Sequence, residues 1–309
     1  MAVKEANLAK PATYHGATSW QRFVRKATPY LFISPFFVGF AIFSLIPILF
    51  SIFLSLAKWN GMSAIQFIGL NNFINLFNDP KFWNALKVTT LITVVCTILG
   101  TAGATFLAVL LEKIHDRPAS ILRVIFFLPA VTSVVVITYI WKQLYSSDYG
   151  YFNVFLEKLG LPAQEWLGNA NLALWALIVM LIWAGLGWDA LIITAGLRAI
   201  PEEIYDAGKV DGTGGWSEFW YLTLPLLRPT LLFVLVTGVI FLWGIFAQPQ
   251  LLTNGGPLHR TETITLFLYN AGFQYQKFGY ASAIAVVLSV LMAISSYLNI
   301  RFVKYEIEY

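Results

Sequence analysis

Six stretches without a single charged residue dominate this sequence: 27–57, 88–111, 124–141, 166–188, 229–259 and 278–300. Each reaches the roughly 18 to 20 residues that a helix needs to cross about 30 Å of hydrocarbon at 1.5 Å per residue. A seventh charge-free window, 59–78, carries Asn60, Gln66, Asn71, Asn72, Asn75 and Asn78. Those amides find no partners in lipid, so the window reads as an extramembrane loop. The expectation is an all-α integral membrane protein of six spans, near 30–56, 88–111, 124–141, 170–197, 230–247 and 279–300.

Composition closes the other options. Only 12% of the 309 residues are charged and 58% are apolar, with 25 Phe, 14 Tyr and 11 Trp. A soluble domain carries about a quarter charged residues, and this chain would leave almost nothing polar for its outside. The lone Cys96 cannot pair within the chain. A net charge of +4, spread along the length, gives no reason to expect nucleic acid. His15, His115 and His259 lie in separate loops, so neither a metal cluster nor a histidine relay is expected, and no pattern asks for a cofactor.

With the N-terminus inside, 13 of the 20 Lys and Arg residues fall in inner segments, so both termini should be cytoplasmic. Residues 1–29 then form a cytoplasmic segment, followed by one membrane domain over 30–309. The first apolar run is too long for a cleavable signal. Residues 21–28 form either an interfacial helix leading into the first span or a solvated basic flank. The outer loop 59–87 reads as a turn-rich stretch and then an amphipathic helix ending in Phe82, Trp83 and Leu86. The outer loop 145–169 has breakers around a helix at 151–159. Such half-apolar loops lie in the headgroup region or serve as a docking surface for an outer partner. Small residues at Gly100, Ala102, Gly103, Ala104 and Ala108 suit close approach of helices.

The inner loop 198–228 holds Asp or Glu at 202, 203, 206, 211 and 218, almost a third of all the acids. Pro201 suits the entry to a helix, and Glu202 and Glu203 favour its positive N-terminal dipole. A short helix through Lys209 puts Glu203 and Ala207 on one face. Gly212, Gly214 and Gly215 break it, and 216–222 reads as a second short helix. Joining two spans does not require such a helix-turn-helix, although an ordinary solvated loop would explain the same residues.

The order of residues in this loop, Asp206-Ala207-Gly208, three residues, Gly212, nine residues, Leu222-x-Leu224-Pro225, resembles the signature of permease subunits of binding-protein-dependent ABC importers. That signature is Glu-Ala-Ala, three residues, Gly, nine residues, Ile-x-Leu-Pro. The stretch 251–257 (Leu-Leu-Thr-Asn-Gly-Gly-Pro) is similar to an outer loop of the carbohydrate-importing branch. The stretches 67–73 and 79–86 are similar to the first outer loop of maltose- and glycerol-phosphate-type first permeases. The resemblance implies a type I importer permease with a cytoplasmic coupling helix-turn-helix. It implies a bacterial or archaeal cell membrane, a dimeric ATPase partner, a second homologous permease, an extracytoplasmic binding protein and a carbohydrate solute. Glu203, Asp206, Ala207, Gly208, Gly212, Leu224 and Pro225 would then form the ATPase-coupling element. On that reading Asp206 would meet a basic side chain of the ATPase. Gly208 would let the helix approach closely, and Gly212 would turn the chain out of it.

The chain has no G-x-x-x-x-G-K-[ST] sequence, so ATP hydrolysis is expected of the partner and not of this subunit. For the solute pathway the candidates are Asp189, the one charge in the otherwise apolar run 172–197, together with Trp243, Phe246, Gln248 and Gln250. Trp243 offers a flat face for sugar C–H groups or, alternatively, packs in the core. Asp189 is otherwise a hydrated or structurally paired acid at a span end. Glycines 185 and 187 are packing contacts or an opening toward the pathway. An ion-coupled secondary carrier would need coupling-ion sites within the spans, and only Asp189 is available. A membrane-embedded enzyme would need clustered catalytic side chains, which the sequence does not offer.

Overall fold

The computed structural model describes residues 19–114 and 116–302. The flanking residues Lys4, Lys10, His15 and Lys304, and also His115, lie outside the described residues. Two compact units are described separately, divided after Ser51.

In the first unit α1 (Ser19–Phe40) passes through a π-helical turn, Ala41–Leu45, into α2 (Ile46–Ser55). Residues 21–28 are helical but belong to α1, so they are no separate interfacial helix. The stretch Lys26–Ser55 is long and apolar enough to cross a membrane, and 6% of its core window is buried. Phe32 and Phe43 are more than four-fifths exposed, which suits a surface solvated by acyl chains.

The second unit opens with the last four residues of α2, followed by a two-stranded antiparallel pair, β1 (Ala57–Lys58) and β2 (Gln66–Phe67), and by α3 (Asn71–Phe77). The expected amphipathic loop helix ending at Leu86 is not there. Asp79 caps a new helix by accepting from the Lys81 N–H at 2.9 Å, and Pro80 opens it. That start signal makes Phe82, Trp83 and Leu86 the first turns of α4 (Pro80–Lys113). At 34 residues, α4 is about 51 Å long, more than the hydrocarbon needs.

α4 packs along α8 (Ala173–Arg198), and α5 (Asp116–Val131) packs against both α8 and the end of α4. α12 (Arg228–Trp243) lies against α4 and α15 (Phe278–Phe302). The small-residue stripe of α4 supplies part of that contact: Ala104 and Ala108 are fully buried beside Ile193 of α8 and Val234 of α12. Among the described residues four helical stretches qualify as spans, and six if each of two bent pairs counts as one.

The window 124–141, expected as one straight span, is broken. α5 and α6 (Val134–Leu144) meet at 104°. Pro129 lies one turn before the break, where its missing N–H and its ring loosen the ladder. Thr132 then satisfies local carbonyls, donating its N–H to Pro129 O at 3.2 Å and its hydroxyl to Leu128 O at 2.7 Å. The other bend is 66°, between the helical run Trp216–Leu226 and α12, and Pro225 and Pro229 bracket it. α12 stops at Trp243, short of the expected 247, and α13 (Ala247–Thr253) follows as a separate helix. The carbonyls left at that stop are not orphaned. Thr265 donates to Trp243 O at 3.2 Å and Thr263 to Ile245 O at 2.9 Å, from the entry of α14 (Ile264–Tyr269).

The segment 145–169 is organised around one side chain. Asn153, in α7 (Tyr151–Lys158), is 3% exposed. Its amide donates to Ser147 O at 3.1 Å and Gln164 O at 2.9 Å, while its oxygen accepts from Gln164 N at 3.0 Å and Trp166 Nε1 at 2.9 Å. Trp141, Tyr145, Phe152 and Trp166 cluster against it, and Tyr145 donates to Ala176 O at 2.9 Å. Asn153→Leu keeps the volume and strands those partners at about 1–3 kcal/mol each. The expected outcome is a clearly lower melting temperature in detergent and early proteolysis within 145–169; an unchanged melt would contradict the hub.

Candidate functional site: the 199–228 loop

Two short helices form this loop. α9 (Glu202–Val210) begins after Pro201 with Glu202 and Glu203 in its first turn and Lys209 in its last, both matched to the helix dipole. α10 (Trp216–Glu218) continues through a π-helical turn, Phe219–Thr223, into α11 (Leu224–Leu226).

The end of α9 is set by backbone geometry. Gly212 takes φ +83°. Its N–H donates to Lys209 O at 3.1 Å, and the Thr213 N–H donates to Gly208 O at 2.8 Å. Both bonds together are the Schellman closure of a helix, which needs a left-handed residue at the Gly212 position. Gly208 has a different role from the one expected. It is buried and faces the chain's own loop: a β-carbon there would lie 2.5 Å from Leu222 Cδ1 and 2.7 Å from Thr213 Oγ1. Its smallness therefore seats α9 on the 219–223 turn, which Tyr205 also meets through a hydroxyl contact of 3.3 Å with Thr223.

With Gly208, Ile204 and Tyr205 turned inward, the opposite face of α9 is bare. Glu203, Asp206, Ala207 and Val210 are all exposed, Val210 at 89%. Positions i, i+3, i+4 and i+7 form one stripe. Asp206 is already engaged within this stripe, in an ion pair with Lys209 at 2.8 Å. That carboxylate holds the Lys209 ammonium above its ordinary pKa, by hydrogen bond and then by charge. Leu224 and Pro225 are half-buried and carry the turn into α12 rather than the exposed stripe.

Behind α9 lies a cavity of about 660 Å³ between the end of α4, the end of α8 and the loop. Its rim holds an ion cluster that sequence reasoning counted only as flanking charge. Glu112 Oε1 accepts from Arg123 Nη2 at 2.9 Å and from Arg198 Nε at 3.1 Å. One carboxylate thereby ties α4, α5 and α8 at the end where the loop is attached. Charges at the edges of three apolar windows were the signal; their meeting required the tertiary fold.

The pathway candidates do not come together. Trp243 is 6% exposed, packed with Phe82, Val239, Phe267 and Ile284, so its ring is a core element here. Phe246 meets Tyr269 in a tilted pair with ring centroids 4.8 Å apart, and Gln248 and Gln250 are half-buried on α13. Asp189 is half-buried on α8, eight residues beyond Leu181 and so about 12 Å further along the axis. Leu181 packs with Leu242, whereas Ala190, next to Asp189, packs with Leu111 and Leu227.

A family model described as "binding-protein-dependent transport system inner membrane component" matches residues 104–304. The chain belongs to that family. It is 34% identical over 285 residues to the probable ABC transporter permease protein YurN of Bacillus subtilis, covering 90% of this chain and 97% of the relative. It is 33% identical over 275 residues to the lactose transport system permease protein LacF of Rhizobium radiobacter, covering 87% and 92%. Its fold is also similar to a chain of the bacterial alginate ABC transporter solved with an alginate pentasaccharide-bound periplasmic protein. There the TM-score is 0.81 at 23% identity, over 94% of this chain and 99% of that one. This ABC permease is a transport component.

Gly208→Val should wedge α9 off the 219–223 turn and expose the 199–228 loop to protease in the assembled membrane protein. Gly212→Ala, which strains the left-handed closure by about 1–2 kcal/mol, should act more weakly. Equal resistance of wild type and Gly208→Val would contradict the inward role of Gly208.

Proposed function

We propose that this ABC permease forms half of a translocation pathway for a sugar or sugar derivative in a bacterial or archaeal cell membrane. A binding protein delivers the solute from outside, a second related permease completes the pathway, and a separate dimeric ATPase drives it. The observation that carries the ATPase contact is the bare stripe Glu203, Asp206, Ala207 and Val210, held outward by the seating of Gly208 and the closure at Gly212. A helix built on its own loop, with one face left uncovered, is what a partner groove requires. The name of LacF supports the sugar class, and the family description supports delivery by a binding protein. The sign of the flanking charge supports an inner position for 199–228 and cytoplasmic termini. Within this reading one membrane domain spans 30–309. Phe246, Gln248 and Gln250 are the groups to test in the pathway beside the core residue Trp243, and Asp189 is to be tested apart from them.

Two measurements test it. Reporters fused after Asp116 and at Glu218 should read cytoplasmic, and one at Asn75 external; an external Glu218 would reverse the assignment. Ala207→Glu adds a charge to the stripe without touching the Gly208 seat. In the purified complex it should lower solute-stimulated ATP hydrolysis at least about tenfold, the scale of an uncompensated interface charge, while the chain still inserts. Normal stimulation would place the ATPase contact elsewhere.

A further inference from the structure

The amide-rich stretch 59–78 has no part in the coupling described above. It folds at the end of α4 opposite the 199–228 loop, since Asp79 precedes the first turn and Glu112 lies in the last. There three segments are locked together. Asn72 donates to Ser55 O at 2.9 Å and Ala57 O at 2.8 Å, fixing α3 to the strand pair. Gly279, at the start of α15, lies so close to Ala57 that a β-carbon would strike the Ala57 carbonyl. Tyr280 donates to Asp79 at 3.0 Å.

These ties wall a cavity of about 800 Å³, within the range of small-molecule sites. Trp59 is half-buried in its lining, with its indole N–H oriented by Ser63 O at 3.0 Å. The side-chain amides of Gln66, Asn75 and Gln276 reach the cavity but make no hydrogen bond among the described residues. Gln276 sits at φ +52°, a conformation that non-glycine residues adopt at a cost. The Tyr275 N–H bond to Asn270 O and the Lys277 N–H bond to Ala271 O, each 2.9 Å, pin it there. Lys58 and Lys277 add two ammonium groups without carboxylate partners. Asp79, the carboxylate in the lining, is committed to Lys81 N–H and Tyr280 OH.

Each part points to one ligand chemistry. An indole face suits the C–H face of a pyranose, and amides that donate and accept together match neighbouring hydroxyls. Unmatched ammonium groups favour an added carboxylate. We propose that this cavity is an outer subsite for a saccharide segment carrying a carboxylate, separate from the membrane pathway. The inference rests on the sugar-import reading and deepens it.

The test uses the complete transporter in nanodiscs without binding protein, titrated with a uronate tetrasaccharide and a neutral glucose tetrasaccharide by saturation-transfer NMR. The variant is Gln66→Ala/Asn75→Ala/Lys277→Ala, three exposed side chains that leave the ties of the walls intact. The uronate should bind about tenfold tighter than the neutral sugar, and the preference should shrink as salt shortens the screening length. The triple variant should lose uronate binding about tenfold while its ATPase activity without solute stays unchanged. Equal binding of the two sugars, or equal binding by wild type and variant, overturns the subsite. So does a variant that loses binding-protein association while keeping saccharide binding, which would make the cavity a protein dock. Uptake of binding-protein-delivered sugar separates the two levels. Uptake without subsite binding sinks the subsite alone, and a complex that imports no saccharide sinks the reading beneath it.

Discussion

Hydrocarbon leaves no water for a backbone N–H or C=O, and the second unit is arranged around that constraint. Long uninterrupted helices meet it by themselves in α4, α8 and α15. Where the helices break, hydroxyl side chains take over. Thr132 covers Leu128 O at the 104° bend, and Thr263 and Thr265 cover Ile245 O and Trp243 O where α12 stops. Thr89, fully buried in α4, accepts from the Ile264 N–H at 2.8 Å and so starts α14 against α4. Breaks satisfied in this way are fixed features of the fold, so the bends bring packed elements to defined places instead of leaving slack.

Much of the fold was legible because lipid imposes a one-dimensional rule. Charge-free length identified every long helix, and the small residues of α4 marked its contact with α8 and α12. The misreadings share a cause. Pro129 and the stop at Trp243 are local signals inside apolar windows, and hydropathy averages over them. Asp79-Pro80 is a readable helix start, but Lys81 and Lys87 put that turn outside the charge-free window that marks the span. Trp243 reads as a sugar platform because its indole is flat and Gln248 and Gln250 follow in sequence; its neighbours in space are Phe82, Phe267 and Ile284. In the loop, the Asp, Gly and Pro positions were visible from spacing. The inward orientation of Gly208 was not, because it depends on Leu222 fourteen residues away.

The two ends of the bundle carry different chemistry. At one, Glu112 pairs with Arg123 and Arg198 and so ties α4, α5 and α8 together where the 199–228 loop begins. Such a cluster, with Glu112 and Arg123 near 30% exposed, adds little stability for its size; its consequence is mechanical connection. At the other end, the amides that kept 59–78 out of the membrane line a tied, polar cavity. The Asp206–Lys209 pair within α9 means that a docking partner meets a neutralised pair and the bare side chains of Ala207 and Val210, rather than an isolated carboxylate.

On the proposed reading, the outward stripe of α9 lies in the ATPase groove. A thiol-linked photo-crosslinker at position 210 (Val210→Cys in a Cys96→Ser background) measures this directly in the assembled complex, with the inward Tyr205→Cys as its counterpart. The account predicts an adduct with the ATPase subunit from position 210 and little or none from position 205. Absence of the adduct at 210 in a complex that still hydrolyses ATP, or equal capture from both positions, would contradict it.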